Sequence, residues 1–190
     1  MEPIRRGEQP EYTKDGEIRV IKTVDLKNSY IKLENCLRVS KEFFNRNLTA
    51  QVKKGDVLVS STGYVSMGKI DVYDKDEPAM IDGHISILRL KDEYDPHFVT
   101  YFLRSHLGQL QFEKWFSGSS GQIEIQPEDL NQFILPESSD KGIPLAKQRE
   151  ISDKITNKLN DFFEFERKAR GKREEARQTF ENLLMEETNN

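Results

Sequence analysis

Asp95-Pro96-His97-Phe98 has the strongest claim to chemistry, standing one residue away from the Asp-Pro-Pro-Phe/Tyr motif that grips a base flipped from a duplex. That chemistry also needs a Gly-rich turn after a strand to seat a nucleotide-like cofactor, and the sequence offers none. The same four residues make an ordinary helix start, with Asp95 as cap and Pro96 at the first helical position. His84, His97 and His106 lack metal-ligand spacing, and the last two would lie on different faces of a helix. Asp71, Asp74, Asp76, Glu77 and Asp82 form an acidic stretch with no following Glu-x-Lys, so they read as solvated turn carboxylates. Ser60-Ser61-Thr62-Gly63 lacks the Gly-x-Ser-x-Gly frame of a nucleophile elbow. The expectation is a non-catalytic protein with no cofactor and no metal.

Two loops rich in hydroxyls and amides remain. One is Ser60-Ser61-Thr62-Gly63-Tyr64-Val65-Ser66-Met67-Gly68-Lys69, and the other is Ser117-Gly118-Ser119-Ser120-Gly121-Gln122, which follows Lys114 and Trp115. Glycine lets a backbone approach a phosphate closely, while Ser, Thr, Gln and Tyr reach phosphates or base edges. A flexible surface loop explains either one alone. Together with Arg5-Arg6, Lys53-Lys54 and Lys69 they point toward nucleic acid. The charge distribution agrees: the net charge is −4, but residues 1–70 carry 13 Lys/Arg against 9 Asp/Glu.

These loops need a scaffold, and the first two thirds of the chain read as one. Ile18–Val24, Val57–Ser60, Lys69–Tyr73, Met80-Ile81 and His84–Leu90 alternate or run apolar between Gly/Asp turns. Short strands punctuated this way favour a curved, barrel-like or sandwiched sheet over parallel βαβ units. A helix is expected over Pro96–Phe112, a short strand at Ile123–Ile125, a helical turn at Pro127–Leu130, and a strand at Phe133–Leu135 that Pro136 ends.

From Leu145 to Glu187 the pattern is helical and about 65 Å long at 1.5 Å per residue. Ile155, Phe162, Ala169, Ala176 and Leu183 recur every seven residues, with Leu159 and Phe180 beside them. Small and charged residues in the middle rule out a strong parallel zipper, whereas two alanines suit close antiparallel coiled-coil packing. Phe162, Phe163, Phe165 and Phe180 would be costly to leave in water. The fold class expected is therefore α+β. Residues 1–144 form a strand-rich globular domain and residues 145–190 one long C-terminal helix.

Some classes are excluded by composition. No run approaches the roughly 18 apolar residues of a membrane span, and the N-terminus has no apolar signal segment. Cys36 is alone, so neither a disulfide framework nor a Cys-based zinc site exists, and a cytoplasmic location is expected.

Taken in order, Gly7-x-x-Pro10-x-Tyr12, Gly16, Val20-Ile21-Lys22-Thr23, Lys54-Gly55-Asp56-Val57-Leu58-Val59-Ser60 and Gly63 resemble a target-recognition domain. Such domains occur in the specificity subunits of type I restriction-modification systems. Gly83-His84-Ile85, Leu103-Arg104-Ser105 with Gly108, Gly118-Ser119-Ser120-Gly121-Gln122-x-x-Ile125, and Ile143-Pro144-Leu145-x-x-Gln148-x-x-Ile151 continue the likeness. The resemblance implies a subunit that reads one half of a bipartite site on double-stranded DNA. It also implies docking of DNA adenine methyltransferase subunits, which a motor-nuclease subunit can join. By the same likeness Ser61, Thr62, Tyr64, Lys69, His84, Ser119, Ser120 and Gln122 are the expected DNA contacts. Ile155, Leu159, Phe162, Ala169, Ala176, Phe180 and Leu183 would line a helix seam between two copies. Two departures stand out: one recognition domain instead of two, and no segment with a first strand ahead of Gly7. A natural half-subunit, a fragment of a longer subunit or of a single-chain enzyme, and a protein-binding adaptor all remain open.

Overall fold

The computed structural model describes residues 2–118 and 123–188, with side chains to Met185. The chain divides into two compact units, Met1–Ser152 and Asp153–Asn190. The first is α+β and contains eight strands among the described residues: β1 (Arg5–Arg6), β2 (Ile18–Ile21), β3 (Arg38–Val39), β4 (Gln51–Val52), β5 (Val57–Ser60), β6 (Ile70–Val72), β7 (Ala79–Ile81) and β8 (Ile85–Leu88). They divide into two four-stranded sheets, ordered β1-β8-β5-β6 and β3-β2-β7-β4, so a strand does stand ahead of Gly7, contrary to expectation: Arg5 and Arg6 pair with Ile87 and Ser86 at the edge of the first sheet. The first sheet is antiparallel throughout, with Leu58 opposite Ile87 and Asp71, whereas β2 runs parallel to β7 in the second.

Why the strand pattern around Val57 is a continuous apolar run becomes clear from packing. All four residues of β5 are buried, because the first sheet is covered on both faces. Alternate side chains serve different layers: Leu58, Ile85 and Ile87 pack toward Val20, Ile21 and Met80 of the second sheet. Val57, Val59 and Leu88 pack the other way, against Phe98, Val99, Leu103 and Phe112 of the helices. The result is three layers with β5 and β8 at their centre.

The helices are α1 (Lys41–Arg46), α2 (Pro96–Arg104), α3 (His106–Trp115), α4 (Pro127–Leu130) and α5 (Leu145–Thr188), with a 3-10 turn at Leu48–Ala50. The single helix expected over Pro96–Phe112 is two. Ser105 is extended (φ −65°, ψ 165°), closing α2 and capping α3 through a hydrogen bond from the Gly108 amide to its hydroxyl. Gly108 lets the helices meet, since a Cβ there would lie 2.3 Å from the Leu103 carbonyl oxygen. Phe133–Leu135 forms no strand. The Gln111 side chain instead satisfies Ile134, its Oε1 accepting from the Ile134 amide at 2.6 Å and its Nε2 donating to the Ile134 carbonyl at 3.1 Å.

Two of the acidic residues expected in solvated turns are buried: Asp71 is 1% exposed and Asp82 is 6% exposed. Asp71 pairs with Arg104 and accepts the amides of Lys27 (2.8 Å) and Asn28 (3.0 Å), pinning the loop before β3 against β6. Burial pushes the Asp71 carboxyl up to about 6 even against those partners.

The first turn of α5 is held within the first unit by Gln148, whose side chain is fully buried. Its Oε1 accepts from the Asp95 amide at 3.0 Å, and its Nε2 donates to the Ile143 carbonyl and to the Ser138 hydroxyl, both at 2.8 Å. Asp95 caps α2 as expected, its Oδ1 taking the Phe98 amide at 2.8 Å and the Ser152 hydroxyl at 2.6 Å. In the second unit, Phe162, Phe165, Phe180 and Leu183 are all more than half exposed. No helix among the described residues is long and apolar enough to cross a membrane.

Candidate nucleic-acid interface

The first loop leaves the C-terminal end of β5 and returns into β6. Its base is closed by the Ser60 amide donating to Lys69 O at 2.8 Å and the Lys69 amide donating to Ser66 O at 3.1 Å. Gly63 (φ +91°) and Gly68 (φ +74°) occupy left-handed conformations that other residues resist. Gly68 also lies against Gln109 of α3, whose Nε2 donates to its carbonyl at 3.3 Å. Between the glycines the chain projects outward, leaving Tyr64 75% and Val65 83% exposed.

The segments that flank the second loop lie directly beside it. Gly63 N donates to Ile123 O and Ile125 N to Ser61 O, each at 2.9 Å. Ser117 and Glu124 exchange two amide–carbonyl bonds at 2.8 Å, which closes the base of that loop. Ile123 and Ile125 point inward (8% and 0% exposed), as the alternation of Ile123-Glu124-Ile125 predicts. Two segments some sixty residues apart are thus joined by main-chain hydrogen bonds.

Arg6 ties the cluster together. Its guanidinium donates from Nε to Gly83 O at 2.7 Å and from Nη2 to the Thr62 hydroxyl at 2.8 Å, while Nη1 forms an ion pair with Glu124. Arg6 was among the cations expected to meet phosphate, but its charge is spent on Glu124 inside the protein. Its organising role has no local signal, because Thr62, Gly83 and Glu124 are distant in sequence.

The expected contacts fall into distinct environments. Thr62 is half-buried and held by Arg6, Tyr64 stands at the loop tip, and Lys69 is half-buried at the loop base. His84 is exposed on the neighbouring turn, and its carbonyl accepts from Ser61 N at 2.9 Å. That turn is set by Asp82, whose Oδ1 takes the His84 amide at 3.0 Å and whose carboxyl burial raises above its usual range.

Ser61 departs from expectation. It is fully buried, its hydroxyl donating to Val59 O at 3.2 Å and lying 2.6 Å from the Ser86 hydroxyl, so it packs the domain instead of facing a ligand. Ser119, Ser120 and Gln122 lie outside the described residues. Beside Tyr64, a groove lined by Met67, Gln109, Phe112, Phe116 and Ile123 extends the loop surface onto α3. Tyr64, Thr62, His84 and the base of the second loop therefore share one end of the sheet. They offer hydroxyls, an imidazole and an aromatic face, a set suited to base edges and sugar-phosphate.

Comparison with known proteins adds to this geometry. The family model described as "Type I restriction modification DNA specificity domain" matches residues 4–173. Among solved structures, the chain is similar to the type I restriction-modification system S subunit from M. genitalium. The two share 20% identity with a TM-score of 0.55, over 87% of this chain and 40% of that one. It is also similar to a chain from a structure described as the basis of complex assembly and conformational transition of the type I R-M system. There the identity is 18% and the TM-score 0.54, over 84% of this chain and 37% of that one. At these identities the likeness is one of fold, and the chain spans about two-fifths of the length of those chains. Comparison with curated proteins found no match.

Proposed function

The chain belongs to the type I restriction modification DNA specificity domain family, and from that premise we propose that it reads one half of a bipartite duplex site for a methyltransferase complex. In this reading it does no chemistry itself. DNA adenine methyltransferase subunits dock on it in the cytoplasm, and a motor-nuclease subunit can join them. The observation that carries the proposal is the pairing of the first hydroxyl- and glycine-rich loop with the segments that flank the second, which together with the neighbouring turn presents Tyr64, Thr62 and His84 from a three-layer base. Residues 1–144 act as the recognition domain and residues 145–190 as the spacer.

The spacer also serves to pair two copies of the chain in antiparallel fashion, through Ile155, Leu159, Phe162, Ala169, Ala176, Phe180 and Leu183. Support comes from apolar side chains left in water: Phe162 (51% exposed), Phe180 (62%) and Leu183 (56%) recover about 25 cal/mol per Å² on being covered. Such a twofold dimer reads a palindromic split site.

Methylome sequencing of a host with and without the gene tests the reading. One adenine-methylated bipartite motif should vanish on deletion, and an unchanged methylome would refute it.

A further inference from the structure

At the end of β5 opposite the readout loops, separate segments bring basic side chains to one groove of about 400 Å³. Lys53 and Lys54 come from the turn before β5, Arg89 and Lys91 from the segment after β8, and Arg149 from the start of α5. All but Arg89 are exposed.

The countercharges do not cancel this set. Asp56 is 1% exposed and committed to Arg89 in a two-pronged pair, Nε to Oδ1 at 2.7 Å and Nη2 to Oδ2 at 2.6 Å. It also takes the Lys53 amide at 2.7 Å, so it shapes the turn that carries the lysines. Lys54 reaches Asp76 at 2.9 Å, but that pair lies in solvent and is weak. Asp92 is the other acid on the groove wall, and Glu2 reaches Arg89 from outside it at 3.5 Å, so the five cations meet two carboxylates on the wall and two beyond it, and the printed ion pairs leave Lys53, Lys91 and Arg149 out. A concave surface of one sign concentrates the field that attracts polyanions.

We infer that this groove binds the sugar-phosphate backbone of the same duplex whose bases the loops read, an inference that rests on the DNA-reading proposal above. The planar fork of Arg89 is filled by Asp56, which leaves the lysines and Arg149 as charges on long stems. Point charges of this kind hold repeated phosphates without reading sequence. The four residues of β5 set the groove about 13 Å from the base of the loops. Neither Lys91 nor Arg149 is near Lys53 in sequence, so only the fold assembles the set.

The test is a salt titration of the full chain binding a random-sequence duplex of about 30 base pairs, read by fluorescence anisotropy. A Lys53→Gln/Lys91→Gln/Arg149→Gln variant should lower the slope of log affinity against log salt by about 2 to 3, near 0.9 per lost contact. It should bind roughly 100- to 1000-fold more weakly at 0.1 M salt, with an unchanged melting temperature. Tyr64→Ala should keep the full slope. A variant slope equal to that of the parent chain overturns the groove assignment and leaves the DNA reading standing. Absence of salt-dependent binding by the parent chain overturns both. A retained DNA slope with lost binding of polyglutamate assigns the groove to an acidic peptide and likewise overturns the inference.

Discussion

The main-chain amide of Asp95 donates to Oε1 of the buried Gln148 across 3.0 Å, joining the start of α2 to the start of α5. Every hydrogen-bonding group of that glutamine amide is occupied except one lone pair, so the joint is specified by geometry as well as by apolar contact. Replacing Gln148 by Leu keeps the volume but strands the Asp95 amide and the Ile143 carbonyl. The expected loss is about 2–4 kcal/mol of stability, measured by equilibrium urea unfolding. A change within about 0.5 kcal/mol of zero, near the noise of such measurements, would show the network to be dispensable.

Ser61 and Tyr64 lie three residues apart and should behave in opposite ways. Ser61→Ala removes the hydroxyl beside Ser86 and should cost about 1 kcal/mol of stability with sequence preference intact. Tyr64→Ala, at a 75% exposed position, should leave the unfolding midpoint unchanged and lower discrimination between sites by about 1–3 kcal/mol. Selection from a randomised duplex library, run alongside thermal melting, separates the two. Equal stability loss in both variants would contradict this division.

Cys36 supplies a pH-dependent prediction. Burial first, then Asp25, pushes its thiol from 9.0 up to about 12, and the thiol donates a weak hydrogen bond to Lys32 O at 3.5 Å. Because the native pKa is raised, the stabilising contribution is complete below about pH 9 and is lost as pH rises toward 12. Alkylation by iodoacetamide at pH 8.5 should run at least roughly a hundredfold slower in the folded chain than in urea, since only the thiolate reacts. Comparable rates would show the thiol to be ordinary.

Phe162→Glu with Phe180→Glu tests self-pairing of the helix beyond Asp153. Both side chains are more than half exposed and outside the core, so the changes remove only the edge contact of Phe162 with Phe163. Light scattering should give a dimer mass for the parent at tens of micromolar and a monomer mass for the variant. A parent monomer at that concentration refutes the pairing.

Much of this architecture is legible from local pattern. Val57–Ser60 reads as a strand because continuous apolar residues flanked by Gly55 and Gly63 leave little else, and α5 reads as a helix over its whole length. Asp95-Pro96 announces the start of α2 correctly. What pattern alone misses is decided by partners far away in sequence. The break at Ser105 depends on Gly108 packing over Leu103, and the absent strand at Phe133 depends on Gln111. In the candidate site the two loops are visible as compositions, but their adjacency is not. Ser61 and Thr62 look alike in sequence. One is buried against Ser86 while the other meets Arg6, because side chains alternate where the strand continues past Ser60.

The two loops are fastened through Gly63, Ile123, Ser61 and Ile125 by main-chain atoms, and main-chain bonding is indifferent to which side chain a residue carries. Tyr64 and Val65, projecting between fixed glycines, can therefore be exchanged without renegotiating the fold. In the proposed DNA-reading role, such a surface acquires a new target by substitution at the tip alone.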